Sequence, residues 1–145
     1  MKLPDEILIE ADMFISYLTG DELEPKFSEI VKKAEAKKTK IFSSSEVYDD
    51  IISALRSQEV ELEKVLSFVS DMRAIPHESI PMTVETARIA LNLYRQHKGS
   101  RKLHYFDSFH VATAHQETLP LLTSDQYILE HAGSLDIQTI NPRKL

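Results

Sequence analysis

Five acidic side chains, Glu10, Asp12, Glu46, Asp107 and Asp125, each follow an apolar, strand-like run or lie in the first turn of a predicted helix. In a fold of alternating strands and helices such places gather at one edge of a parallel sheet, outside the carboxyl ends of its strands. Carboxylates gathered there repel by roughly 4 kcal/mol per pair at 4 Å with an effective dielectric near 20. The pattern therefore predicts a cation between them, and a divalent ion is the first expectation because hard cations prefer oxygen ligands. An ion held by a few carboxylates keeps several waters, leaving places for a phosphate oxygen and an attacking water. That arrangement suits phosphodiester hydrolysis.

Taken singly, each acid also has a structural explanation. Ser43-Ser44-Ser45-Glu46 fits a capping box, with the glutamate reaching back to the cap's own N–H. Asp12 and Asp125 stand where N-caps belong, and Asp107 lies in a first helical turn, where a carboxylate meets the positive end of the dipole. Ordinary caps on a parallel sheet are divided between its two ends, whereas these five are assigned to one. A second ligand pattern competes with the acids: His104, Asp107 and His110 recur about one helical turn apart, although the i, i+4 histidine pair of a zinc protease helix is absent.

The elements that must position these side chains are short. Apolar runs at 7–9, 41–42 and 119–123 read as buried strands, and 137–140 as a final edge strand. Helical periodicity predicts helices over 13–18, 24–38, 46–56, 59–72, 83–97 and 105–116. Pro76 and Pro81 bracket what reads as a connector. Strands alternating with helices imply a mostly parallel sheet covered on both faces. Asp107 reaches the others from the start of a helix that precedes the 119–123 strand.

The chain has 145 residues, the size of one compact domain able to fold without staples. The absence of cysteine rules out disulfides and thiolate zinc sites and fits a reducing compartment. With no apolar stretch approaching a membrane span and no signal-like N-terminus, the expectation is a soluble cytoplasmic protein. A formal net charge of −6 argues against a nonspecific grip on nucleic acid by the whole surface, an objection that bound divalent ions would weaken.

Glu10-Ala11-Asp12-Met13-Phe14-Ile15 resembles the opening Asp-x-Asn/Ser-x-hydrophobic-hydrophobic motif of PIN-domain nucleases, the fold of VapC-type toxins. Ser44-Ser45-Glu46-Val47 is similar to the family's second motif, whose glutamate starts a helix. Residues 105–114 resemble the third, hydrophobic-x-Asp-Ala/Ser-x-His-x-Ala-x-Ala, and Leu122-Thr123-Ser124-Asp125 resembles the fourth, Thr-x-Asp. The resemblance covers nearly the whole chain. It implies a single three-layer α/β/α domain around a mostly parallel sheet of four or five strands, and a Mg²⁺- or Mn²⁺-dependent ribonuclease activity. It further implies a homodimer and a small antitoxin lying across the cleft, for which the region of Ile51, Ile52, Leu55 and residues 60–69 is the candidate surface.

In this reading Asp107 and the Glu10/Asp12 pair hold the ion, Glu46 orients or deprotonates the attacking water, and Asp125 supports the same ion or a second. One departure stands out: the family's first acid is normally aspartate. Glutamate sets its carboxylate about 1.5 Å farther out, so either Asp12 takes over part of that work or the ion site is loosened. Retained activity is the expectation, and a PIN-like module that binds RNA or protein without cutting is the alternative. Around the acids, Thr123 and Ser124 are candidate hydrogen-bond donors to a ligand carboxylate or bound water, or else strand end and cap. Arg101 and Lys102, in a basic stretch, are candidate phosphate contacts, or else a solvated helix end. His110 either contacts RNA or packs along its helix.

Overall fold

The computed structural model describes residues 2–98 and 102–145. Its centre is β1 (Glu6–Ile9), where Ile7, Leu8 and Ile9 are all buried. A strand buried on both faces reads as a continuous apolar run because helices cover it on either side. β1 pairs in parallel with β2 (Lys40–Ser44) on one edge, Ile7 opposite Ile41, and with β4 (Leu121–Leu122) on the other, Ile9 opposite Leu122. β3 (Glu78–Ile80) and β5 (Thr139–Ile140) complete the sheet in the order β3-β2-β1-β4-β5, every pair parallel.

Side chains alternate across this sheet, as the pleat requires. Ile7, Ile9 and Ile41 join one core with residues of α1 (Ala11–Thr19), α2 (Glu24–Glu35), α3 (Val47–Ser57) and α4 (Leu62–Asp71). Leu8 and Leu121 join the opposite core with Val111 and Ala114 of α6 (Tyr105–Glu117) and with Ile128 of α7 (Gln126–Glu130). The result is the expected three-layer α/β/α architecture. α6 is buried continuously from Ser108 to Ala114 because it lies between the sheet and α5 (Val84–His97). Ala90 of α5 and Ala112 of α6, both fully buried, share the small contact core between the two helices with Phe109. A short α8 (Ala132–Leu135) leads into β5.

Three expectations need correction. The 76–81 segment is not simply a connector: Glu78-Ser79-Ile80 forms β3, an edge strand with two exposed residues that is held by backbone pairing to β2 rather than by an apolar run. The helix expected to reach residue 38 stops at Glu35, where Lys37 turns left-handed (φ 58) and the Lys38 N–H closes the end on the Lys33 carbonyl. The helix expected from 59 starts at Leu62, because Glu59 also has positive φ (60) and Val60 donates back to the Leu55 carbonyl. Among the described residues no helix is long and apolar enough to cross a membrane.

The chain leaves β1 toward β2 and β3 on one side, then returns through α5 and α6 to add β4 and β5 on the other. The connections therefore diverge between β1 and β4. A crevice opens outside the carboxyl ends of two strands so separated, and ligands of parallel sheets bind there.

Candidate active site

Glu10 follows the last residue of β1 and begins α1 in extended conformation (φ −107, ψ −179), yet its side chain caps nothing. It is 2% exposed, and neither carboxylate oxygen has a hydrogen-bond partner among the described residues. Asp12 lies in the first turn of the same helix. Across the crevice, Asp107 occupies the first turn of α6 with 17% of its side chain exposed. Asp125 follows β4 as the N-cap of α7, accepting from the Ile128 N–H at 2.9 Å through one oxygen. These four residues, with Asp50 and His104, line a cleft of about 330 Å³ at the end of the sheet.

Burial and mutual repulsion govern the electrostatics of these acids. Burial first, then the carboxylates of Asp107 and Asp12, push the Glu10 carboxyl well above the usual range. Thr123 is the neighbour that favours its ionised form, but the hydroxyl makes no hydrogen bond to either oxygen. Asp107 is pushed up to about 6, again by burial first, with Asp125 and Asp50 adding to the rise and His110 opposing it. Asp12 stands at the mouth, open to water but close enough to the protein for partial burial, Asp50 and Asp125 to raise its carboxyl as well.

Of the five acids expected to converge, four do so; Glu46 does not line the cleft. It is the N-cap of α3 in helical conformation and makes no capping hydrogen bond, so the capping box is absent too. Two of the three serines before it are otherwise engaged: Ser45 Oγ accepts from the Met82 N–H at 2.9 Å, and Ser44 Oγ lies 2.8 Å from His110 Nδ1, while the buried Ser43 Oγ has no partner among the described residues. One turn further along α3, Asp50 faces the cleft instead. A signal for it was present in the sequence. Asp50 lies three residues after Val47 and one before Ile51, both fully buried, which places it on the flank of the core-facing stripe.

His110 is shut off from solvent, with both ring nitrogens engaged within the protein. It is fully buried on α6, and its Nε2 lies 2.8 Å from Asp50 Oδ2. An ionised carboxylate can only accept, so in the neutral ring Nε2–H donates to Asp50 while the Ser44 hydroxyl donates to Nδ1. The relay fixes the direction of the Asp50 carboxylate from the far side of the sheet end. His110→Ala should cost about 2–4 kcal/mol of stability in urea unfolding, from a cavity plus unpaired Ser44 and Asp50 groups. Thr123 is buried at the end of β4 and accepts the Asp125 N–H at 3.0 Å. Ser124 and exposed Lys102 do not line the cleft, and Arg101 lies outside the described residues.

Among the described residues, two groups of side chains offer donor atoms within 4.8 Å of one another: Asp50, Asp107 and His110, and His104, Asp107 and Asp125. Glu10, whose orphaned oxygens lie in the same cleft, falls in neither group; the carboxylate and imidazole donors of the two groups fit a divalent cation.

Comparison with known proteins agrees with this fold. The PIN domain family profile matches residues 7–134. No curated protein matches the chain significantly in sequence. Among solved structures, VapBC2 from Rickettsia felis bound to a DNA fragment from its promoter superposes with a TM-score of 0.67 at 14% identity, covering 94% of this chain and 98% of that one. FitAcB from Neisseria gonorrhoeae gives 0.64 at 15% identity, with 96% and 99% covered. VapBC-5 from Mycobacterium tuberculosis, a member of the VapBC family of toxin-antitoxin systems, gives 0.60 at 14% identity, with 95% and 99% covered. At such identities the superpositions speak for the fold, while the profile spans most of the sequence: the chain belongs to the PIN domain family.

Proposed function

We propose that this protein is a divalent-metal-dependent endoribonuclease, acting as one domain and serving as the toxin of a toxin–antitoxin pair. The observation that carries the reading is Glu10, a buried carboxylate with both oxygens unpartnered, facing Asp12, Asp107 and Asp125. A group so placed is costly unless a cation compensates it. Glu10, Asp107 and Asp125 would hold the ion, and Asp12 at the mouth adds the negative charge that attracts it. A bound Mg²⁺ or Mn²⁺ supplies an acidified water and positive charge for the scissile phosphate.

The part first given to Glu46 passes in this reading to Asp50. Held in direction by His110, Asp50 is suited to accept a hydrogen bond from the attacking water and orient it. Tyr105 and Phe106, which also line the cleft, offer aromatic surface for an unpaired base beside the acids. The fold's similarity to toxin–antitoxin complexes supports an antitoxin partner for this chain, and a homodimer is part of the same proposal. Of the surface first considered for that partner, Ile51 and Leu55 belong to the core, whereas Leu62 and Leu66 of α4 are about two-thirds exposed. A basic residue of the partner would complement the acidic cleft.

The test is cleavage of single-stranded RNA by metal-stripped protein with and without added Mg²⁺ or Mn²⁺. Cleavage that appears with the ion and vanishes with EDTA supports the reading. RNA binding without cleavage at any ion concentration would favour the alternative, a PIN-like binding module, to which the longer acid at position 10 lends support.

A further inference from the structure

His104 is the N-cap of α6, its place fixed by the fully buried Leu103 before it and by the helix that starts after it. Its side chain is 68% exposed, and Nδ1 lies 3.3 Å from Asp107 Oδ2. Donors in adjacent positions around an octahedral ion with bonds of about 2.1 Å stand about 3 Å apart. The separation is therefore that of two ligands sharing one ion, and Asp125 offers its oxygen within the same 4.8 Å. The unpartnered oxygens of Glu10 line the same cleft and mark it independently as a place where a cation belongs.

The other imidazole near Asp107 is disqualified. Both nitrogens of His110 are committed, to Ser44 and to Asp50, each at 2.8 Å. His104 has no such engagement: among the described residues its one hydrogen-bond partner is Asp107 itself. Resting on the metal-dependent reading above, we propose that His104 gives an imidazole nitrogen to the ion held by Asp107 and Asp125, making a mixed nitrogen–oxygen centre that takes Mn²⁺ in preference to Mg²⁺. The preference follows from ligand type. Mg²⁺ is a hard ion that favours oxygen, whereas first-row transition ions accept imidazole.

Metal-stripped protein titrated with Mn²⁺ and with Mg²⁺ separates the possibilities without any cleavage assay. The expected result is Mn²⁺ binding at least ~10-fold tighter than Mg²⁺, with electron spin-echo modulation from one coordinated imidazole nitrogen. His104→Ala should abolish that modulation and weaken Mn²⁺ binding about 10-fold, while changing Mg²⁺ binding by no more than about twofold. Because the side chain is mostly exposed, the variant is expected to fold, and circular dichroism checks it. Modulation that persists in His104→Ala, or equal losses for both ions, overturns the role of His104 while leaving a carboxylate ion site intact. Wild-type protein that binds neither ion overturns this inference and the metal-dependent function together.

Discussion

Asp107→Asn is expected to reduce metal-dependent RNA cleavage at least ~100-fold in kcat/KM, the largest effect of any single change in the cleft. Asp107 belongs to both groups of potential ligands, and its charge also acts on Glu10. Asparagine keeps the shape and removes the charge, so the helix start and the packing of α6 should survive. Single-turnover cleavage with ion in excess is the measurement, and a variant retaining more than a tenth of the activity would remove Asp107 from the chemistry.

The same substitution has a signature in the absence of metal. In the folded chain the Asp107 carboxyl is held at about 6, above its usual 3.8, so the native state binds this proton more tightly than the unfolded chain does. The resulting stability is complete below about pH 4 and is lost as pH rises through about 6. Metal-free wild type should therefore become less stable across that window, and Asp107→Asn should flatten this part of the profile. Unfolding in urea at pH 4, 5, 6 and 7 under EDTA reads it out.

Glu10→Gln should trade ion affinity for stability. With both oxygens of Glu10 buried and unpartnered among like charges, loss of the charge should raise the metal-free Tm by at least ~4 °C, the shift expected for about 1 kcal/mol in a domain of this size. The amide can also donate to the neighbouring carboxylates, which the ionised acid cannot. Added Mn²⁺, which should stabilise wild type by mass action, should then do little for the variant. Differential scanning calorimetry with and without the ion decides it. A lowered metal-free Tm would mean that the carboxylate is satisfied in a way the geometry does not contain.

What the sequence made legible, and what it concealed, divides along physical lines. β1 and β4 could be read because strands covered on both faces are apolar throughout, as Ile7-Leu8-Ile9 is, and β2 through its Ile41-Phe42 pair alone. β3 could not, because Glu78-Ser79-Ile80 owes its place to hydrogen bonds from β2 that leave no mark on side-chain type. Glu10, Asp12, Asp107 and Asp125 could be assigned to one cleft because each is tied to the end of a strand or the start of a helix. Asp50 was missed although it too lies in the first turn of α3: it stands four residues past Glu46, and only the helical angle relative to Val47 and Ile51 brings it round to the cleft. The serine run before Glu46 suggested a cap because spacing was all that could be seen. The hydroxyls of Ser45 and Ser44 instead bond Met82 and His110, partners distant in the chain.

The order of the strands bears on when during synthesis the cleft can exist. A long stretch of chain separates Glu10 and Asp12 from Asp125, and the two meet only once β4 has paired beside β1. While the polypeptide is still being translated, at any point before β4 and Asp125 emerge, the cleft lacks a wall. If the protein cuts RNA as proposed, it stays harmless to the ribosome and message producing it until that strand has been made, a delay built into the connectivity.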